Sequence, residues 1–282
     1  MFKLSLVLVA GVLASAQAIM EADPGLPTHT IYRHEKITGK LPIIVWGNGA
    51  CANLGNRFQD FLTEIASHGY LAIAIGPIGP PEAARPPQPA AANTPRPPAG
   101  PPATKASQLI DAIDWAIAEN TRAGSKYKGK LDIKKIAVMG QSCGGVQAIK
   151  ASADPRVTMT IAWNSGVLPA PTPAMENVSK DDLKKLHAPI AWINGDPSDI
   201  AHKNAEDDFN RTDHIPALFA WRKGIGHSGT YREPKGGEFG QIAVAYLHWR
   251  LKNDKRAAKM FKGPDCGLCR DDNWKIFKKR IE

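Results

Sequence analysis

The stretch Val138-Met139-Gly140-Gln141-Ser142-Cys143-Gly144-Gly145 decides the reading of this chain. It completes a short apolar run, Lys135-Ile136-Ala137-Val138-Met139, that predicts a buried strand. It leads into Gly145-Val146-Gln147-Ala148-Ile149, which predicts the start of a helix. A G-x-S-x-G pattern between a strand and a helix places the serine on a sharp turn that exposes its hydroxyl. Strand and helix approach closely there, so the flanking positions have room only for small residues. Gly140 and Gly144 meet that need. The pattern by itself is common; its context makes Ser142 a candidate nucleophile.

On either side, the chain alternates strands with helices. Thr28–Tyr32, Leu41–Trp46 and Tyr70–Ile75 read as strands. Between Asn56 and Ser67, Phe58, Phe61, Leu62 and Ile65 recur at helical spacing. Thr104–Ala118 predicts another helix. Val157–Trp163, Pro189–Asn194 and Ala217–Trp221 predict further strands, with Ala217–Trp221 the last, and Gly240–Leu251 a closing helix. This alternation predicts an α/β domain with a doubly wound, mostly parallel sheet and helices on both faces. The segment 76–103 has paired prolines at 80–81, 86–87, 97–98 and 101–102. It is expected to form a long surface loop, since proline lacks the amide donor that helices and central strands require. Its placement suits either a lid or an inert insertion.

A serine hydroxyl needs a base within hydrogen-bond reach and a group that orients the base. In a parallel sheet such groups gather at the carboxyl ends of the strands. His227, in Gly224-Ile225-Gly226-His227-Ser228-Gly229, lies in a loop just past the expected last strand. The other histidines precede the core strands (His29, His34), end a helix (His68), lie in connections (His187, His202, His214) or belong to the closing helix (His248). The orienting carboxylate is expected after the preceding strand, in Gly195-Asp196-Pro197-Ser198-Asp199. Asp196 can bond the turn before Pro197. Asp199 lies deeper in the loop, with Ile200 beyond it to pack, and is the preferred candidate. Two backbone N–H groups are needed to hold an oxyanion. Cys143, directly after the serine, supplies one. Ala50, in Gly47-Asn48-Gly49-Ala50-Cys51, is expected to supply the other.

The order Ser142, Asp199, His227 resembles that of the α/β-hydrolase superfamily. Within it, the chain is similar to secreted esterases of the cutinase-like and polyester-hydrolase type, which carry G-x-S-x-G, a G-x-x-x-D loop and a late G-x-H. Here these are Gly140–Gly144, Gly195–Asp199 and Gly226-His227. The resemblance implies ester hydrolysis through an acyl-enzyme, without cofactor or metal. It also implies that Trp163 and Asn164 line the substrate pocket. Trp46, Trp115, Trp192 and Trp221 are expected in the core. An acyltransferase or peptidase on the same triad is a close variant, and a non-catalytic binding protein on this fold is the reading from another class.

Residues 1–18 have a basic start, an apolar run from Leu4 to Leu13 and Ala16-Gln17-Ala18, which predicts a secretory signal peptide cut after Ala18. The remaining 264 residues are expected to form one domain, exported and monomeric, with a cysteine-containing tail at 258–282. In an exported chain four cysteines suggest disulfides. Cys266 and Cys269 are close enough to bridge each other. A zinc site would need two further ligands. Cys51 and Cys143 then pair or stay free; paired, they would lock the two oxyanion donors. The net charge of +9 favours anionic surfaces. Lys275, Lys278, Lys279 and Arg280 are read as a solvated face, not a nucleic-acid site, and no apolar run, that of Leu4–Leu13 included, is long enough to span a membrane.

Overall fold

A computed structural model describes residues 18–81, 101–170 and 172–281. Residues 1–17 of the expected signal peptide, and most of the proline-rich segment with its expected lid, lie outside the described residues. Ala18 itself begins the first strand and pairs with His34.

The strands are β1 (Ala18–Glu21), β2 (His29–His34), β3 (Leu41–Gly47), β4 (Leu71–Ile75), β5 (Leu131–Gln141), β6 (Met159–Trp163), β7 (Ile190–Gly195), β8 (Ala217–Arg222) and β9 (Trp274–Lys279). They form one sheet in the order β1-β2-β4-β3-β5-β6-β7-β8-β9. The six strands from β4 to β8 in that order are parallel, while β1, β2 and β9 join antiparallel at the edges. The helices are α1 (Gln59–Ser67), α2 (Ser107–Thr121), α3 (Cys143–Ala151), α4 (His202–Arg211), α5 (Gly237–Lys252) and α6 (Lys255–Ala258).

Strands buried on both faces need apolar residues at every position. In β3, Ile44 and Trp46 pack with Phe61, Leu62 and Tyr246 from α1 and α5. Ile43 and Val45 point the other way, toward Leu109 and Ile113 of α2. Farther along that second face, Val146 of α3 and Phe209 of α4 cover Trp192 and Phe219. The winding starts at β3, passes to β4 and returns to β5 on the other side, so a topological switch falls between β3 and β5. The carboxyl ends flanking such a switch are where open α/β sheets form crevices.

Beyond β1 and α6, which the sequence reading does not mark, three elements differ from it. The helix expected from Asn56 begins at Gln59, because Asn56 is committed elsewhere: its side chain donates to Gly79 O (2.9 Å) and accepts from Gly79 N–H (3.0 Å). Ala217–Trp221 is not the last strand. Lys275, Lys278 and Lys279 belong to β9, which pairs with β8, and Arg280 follows it. Beneath the charges runs a period of two: Trp274 is buried, and Ile276 packs beside it on the α5 side. Lysines suit such an edge strand because they discourage further strand addition. Finally, α4 carries its apolar stripe on Ala205 and Phe209 alone, too thin a signal beside eight polar residues. His202 therefore lies in a helix and not in a connection.

The β1 edge is tied by charge. Glu21 receives Arg33 on both oxygens (2.8 and 2.9 Å), with Lys126 (2.6 Å) and the Tyr127 hydroxyl (2.7 Å). Burial alone would raise its carboxyl, but the bonds from Arg33, Lys126 and Tyr127 prevail and hold it down at about 2. A depressed carboxyl stabilises the fold above its unfolded value and loses that contribution as the pH falls toward the folded one. Glu21→Gln is therefore expected to cost about 2–3 kcal/mol in urea unfolding at pH 7. The difference from wild type should shrink steadily between pH 5 and pH 2.5; a constant difference would mean that the charge is not its source.

Candidate active site

Ser142 occupies the one-residue turn between β5 and α3, with φ 53° and ψ −119°. That conformation is costly for a residue with a side chain and persists only where its surroundings enforce it. The surroundings are close-packed backbone. A Cβ at Gly140 would fall 2.2 Å from Gly144 O, and one at Gly144 would fall 2.1 Å from the Gly47 carbonyl. The two glycines of G-x-S-x-G are thus required by the contact of β5, α3 and β3. Ser142 N–H donates to Trp163 O (2.9 Å), and its carbonyl accepts from Ser165 Oγ (2.7 Å).

The loop after β8 brings His227 over this turn. Its Nε2 lies 2.9 Å from Ser142 Oγ. Its Nδ1 lies 2.7 Å from Asp199 Oδ1. Its carbonyl accepts from Gln141 Nε2 (3.0 Å). The three expected side chains therefore form one hydrogen-bonded row drawn from three distant segments. Asp199 is fully buried at its side chain, whereas His227 is 28% exposed, so the row runs from the interior to the surface.

Asp199 accepts from four donors. Oδ1 takes His227 Nδ1 and Ala201 N–H (2.9 Å); Oδ2 takes Asn164 Nδ2 (2.7 Å) and Gly195 N–H (3.1 Å). Burial acts to raise its carboxyl, but the bonds from His227, Ala201 N–H and Asn164 outweigh burial and hold it below the usual carboxylate range. Asp196, the other candidate, supports the loop instead. It accepts from Ser198 N–H (2.9 Å) and Oγ (2.6 Å), and from Gly224 N–H (2.7 Å) at the base of the His227 loop.

Asn164 was expected at the pocket and does border it, but its amide is spent beneath the site. With φ 38°, it turns back so that Nδ2 reaches Asp199 Oδ2 and Gly226 O, while Oδ1 accepts the Tyr231 hydroxyl. Tyr231 is wholly buried, and burial together with the Asp199 charge pushes its phenol well above the ordinary value. It stays a neutral donor. Tyr231 was missed in the sequence because its only mark is its place four residues after His227.

Trp163 is not a pocket wall. It is fully buried and packs edge-on against Phe61 (5.2 Å between centroids) and Tyr231, and at a tilt against Phe239. The alternation of β6 sends it to the same face as Met159 and Ile161. What it offers Ser142 is its carbonyl. Ile200 also departs from expectation: it is 78% exposed and lines the mouth of the cleft instead of packing under Asp199. The cleft has a volume of about 100 Å³ and is bordered by Ser142, His227, Leu168, Met175, Ile200 and Asn204.

Cys51 and Cys143 are joined by a disulfide, Cα atoms 5.2 Å apart, as are Cys266 and Cys269. The first bridge ties the turn Gly49–Cys51 to the residue after Ser142. As the first residue of α3, Cys143 presents an N–H with no partner inside the helix, at its positive end. Ala50 lies one residue from the bridge, exposed, with φ 56°. Thr104 Oγ1 donates to Cys51 O (3.0 Å), and Gln147 Nε2 donates to Thr104 O (2.8 Å), so the turn is clamped from behind as well.

Among the described residues no group of three or more His, Cys, Asp or Glu side chains is placed to hold a metal ion, and no helix is long and apolar enough to cross a membrane. Fold and site together define an α/β protein with a mostly parallel nine-stranded sheet and a Ser-His-Asp row at the carboxyl ends of its strands. No protein-family model and no curated protein matches the chain.

Proposed function

We propose that this chain is a secreted serine hydrolase of the α/β-hydrolase type that cleaves carboxylic esters through an acyl-enzyme. The observation that carries the reading is the unbroken row Ser142–His227–Asp199 beneath a serine at positive φ. Asp199, ionised and accepting at Nδ1, keeps the His227 proton there and leaves Nε2 free to take the serine proton. Ser142 Oγ attacks the ester carbonyl, and its proton passes to His227. The N–H groups of Cys143 and Ala50 stabilise the oxyanion. The tetrahedral adduct collapses, His227 protonates the departing alcohol, and the acyl group remains on Ser142. Water then attacks with its proton going to His227, which returns it to Ser142 as the acid leaves. No step needs a metal or cofactor. Two disulfides suit an oxidising compartment and support export.

A fluorophosphonate probe tests this directly. It is expected to label the folded wild-type chain at one site, Ser142, and to leave Ser142→Ala unlabelled. A folded wild-type preparation that takes no label would overturn the hydrolase reading. The cleft volume of about 100 Å³ also restricts the group it can hold. Pockets for drug-sized ligands span roughly 300–1,000 Å³. Among p-nitrophenyl esters, kcat/KM is therefore expected to be highest for short acyl chains and to fall with chain length; a maximum at long chains would contradict the size of the cleft.

A further inference from the structure

We infer that the cleft at the carboxyl end of α5 binds an acidic saccharide chain. This cleft has a volume of about 550 Å³, several times that of the cleft at Ser142. Lys255, Lys259 and Lys262 line it. The turns of α6 continue through Lys262, with Lys259 N–H bonded to Arg256 O and Lys262 N–H to Ala258 O. Spacings of four and three therefore put the three lysines on one helical face. Among the described residues none of their ammonium groups has a hydrogen-bond or carboxylate partner. The surrounding segment reinforces them. Residues 250–282 hold eleven Lys and Arg against five Asp and Glu, a net +6 of the chain's +9. Charge so concentrated attracts polyanions.

The rest of the wall narrows the choice of polyanion. Asp254 uses one oxygen to cap α6, accepting from Arg256 N–H (2.7 Å) and Ala257 N–H (3.1 Å). Its other oxygen lies 3.9 Å from His248 Nδ1, and Asp254 and Asn253 both border the cleft beside the three lysines, Trp249, Ala258 and Gly263. A carboxylate there repels a dense phosphate array but accepts hydroxyl donors, which a sugar supplies. Trp249, stacked on Phe261 with centroids 5.5 Å apart and with the Arg250 guanidinium 4.9 Å from its ring centre, adds an aromatic edge that sugar C–H groups can contact. A bilayer is disfavoured: among the described residues the large apolar side chains that stand exposed are Ile78, Ile133, Ile200 and Phe277, and none lines this cleft. Carboxylated sugars thus match lysines, hydroxyl acceptors and aromatic wall together.

The cleft lies far from the Ser142 row. Lys252 Nζ, at the end of α5, reaches His68 O (2.6 Å), just before β4 begins, at the amino ends of the strands. Ser142 and His227 stand at the carboxyl ends. Saccharide binding here would tether the protein and leave the other end of the sheet open, so the inference holds whatever chemistry Ser142 performs.

The test is retention of the full chain on polygalacturonate-agarose at 0.15 M salt, with neutral dextran and phosphatidylserine vesicles as comparisons. K255Q/K259Q/K262Q is compared with K36Q/K40Q/K128Q, which removes the same charge from exposed lysines elsewhere. Three partly exposed ion pairs lost together predict binding weaker by about tenfold for the cleft variant, with the control close to wild type. An unchanged circular-dichroism spectrum and thermal midpoint in both reports that each is folded. Equal weakening in both variants would reduce the effect to net charge and overturn the site. Capture by the vesicles but not by polygalacturonate would overturn the saccharide as ligand.

Discussion

Replacing Asp199 by asparagine is expected to lower kcat on a short-chain ester by about 10,000-fold with little change in KM, the loss seen when a triad carboxylate becomes an amide. The local geometry explains why no rearrangement rescues it. All four groups around the carboxylate are donors: His227 Nδ1, Ala201 N–H, Asn164 Nδ2 and Gly195 N–H. An asparagine must turn its NH₂ toward one pair of them. If it faces His227, the imidazole shifts its proton to Nε2 and can no longer accept one from Ser142. If it faces Asn164 and Gly195, two donors oppose a third in the buried interior. Asn164 cannot flip to relieve this, because its oxygen already takes the Tyr231 hydroxyl. The variant should therefore also lose about 1–3 kcal/mol in chemical denaturation, the cost of an unsatisfied buried donor. Steady-state kinetics and guanidinium unfolding on one preparation check both. A variant as active as wild type would remove Asp199 from the mechanism.

Much of this site was legible in the sequence for local reasons. Gly140 and Gly144 are demanded by a backbone contact that any strand-turn-helix of this kind makes, so the motif carried its own structural test. Asp199 and His227 were found because a parallel sheet restricts where partners can stand. The failures came where the answer depended on parity or on a distant partner. Trp163 ends β6 near the site, but being at a strand's end does not say which face the ring takes; the pairing of β6 between β5 and β7 does. Asn164, one residue on, looked like a pocket residue and became the support of Asp199 because its φ of 38° turns it inward. Nothing in the sequence announces that angle. In β9, three lysines masked an alternation that only the packing of Trp274 and Ile276 on the α5 side reveals. Cys51 and Cys143 could be suspected as a pair only after both had been placed beside the serine.

That pair sets up the second large effect. C51A/C143A is expected to lose about 3–4 kcal/mol of stability, because the bridge closes a loop 92 residues apart in sequence and restricts the unfolded chain. The same variant should lose about 10–100-fold in kcat, less than the full removal of an oxyanion donor, which costs 100–1,000-fold. The difference follows from what remains. Thr104 Oγ1 still holds the carbonyl of residue 51, and Gln147 still holds Thr104, so the Gly49–Cys51 turn is loosened and not released. KM should move little, since Leu168, Met175 and Ile200 lie on the other side of Ser142 from the bridge, in the connections after β6 and β7. Guanidinium unfolding measures the first effect. Initial rates taken well below the unfolding midpoint measure the second, so that lost stability cannot pass for lost catalysis. If stability falls while kcat stays at the wild-type value, the bridge serves the fold alone. The second oxyanion donor would then have to be sought away from Ala50.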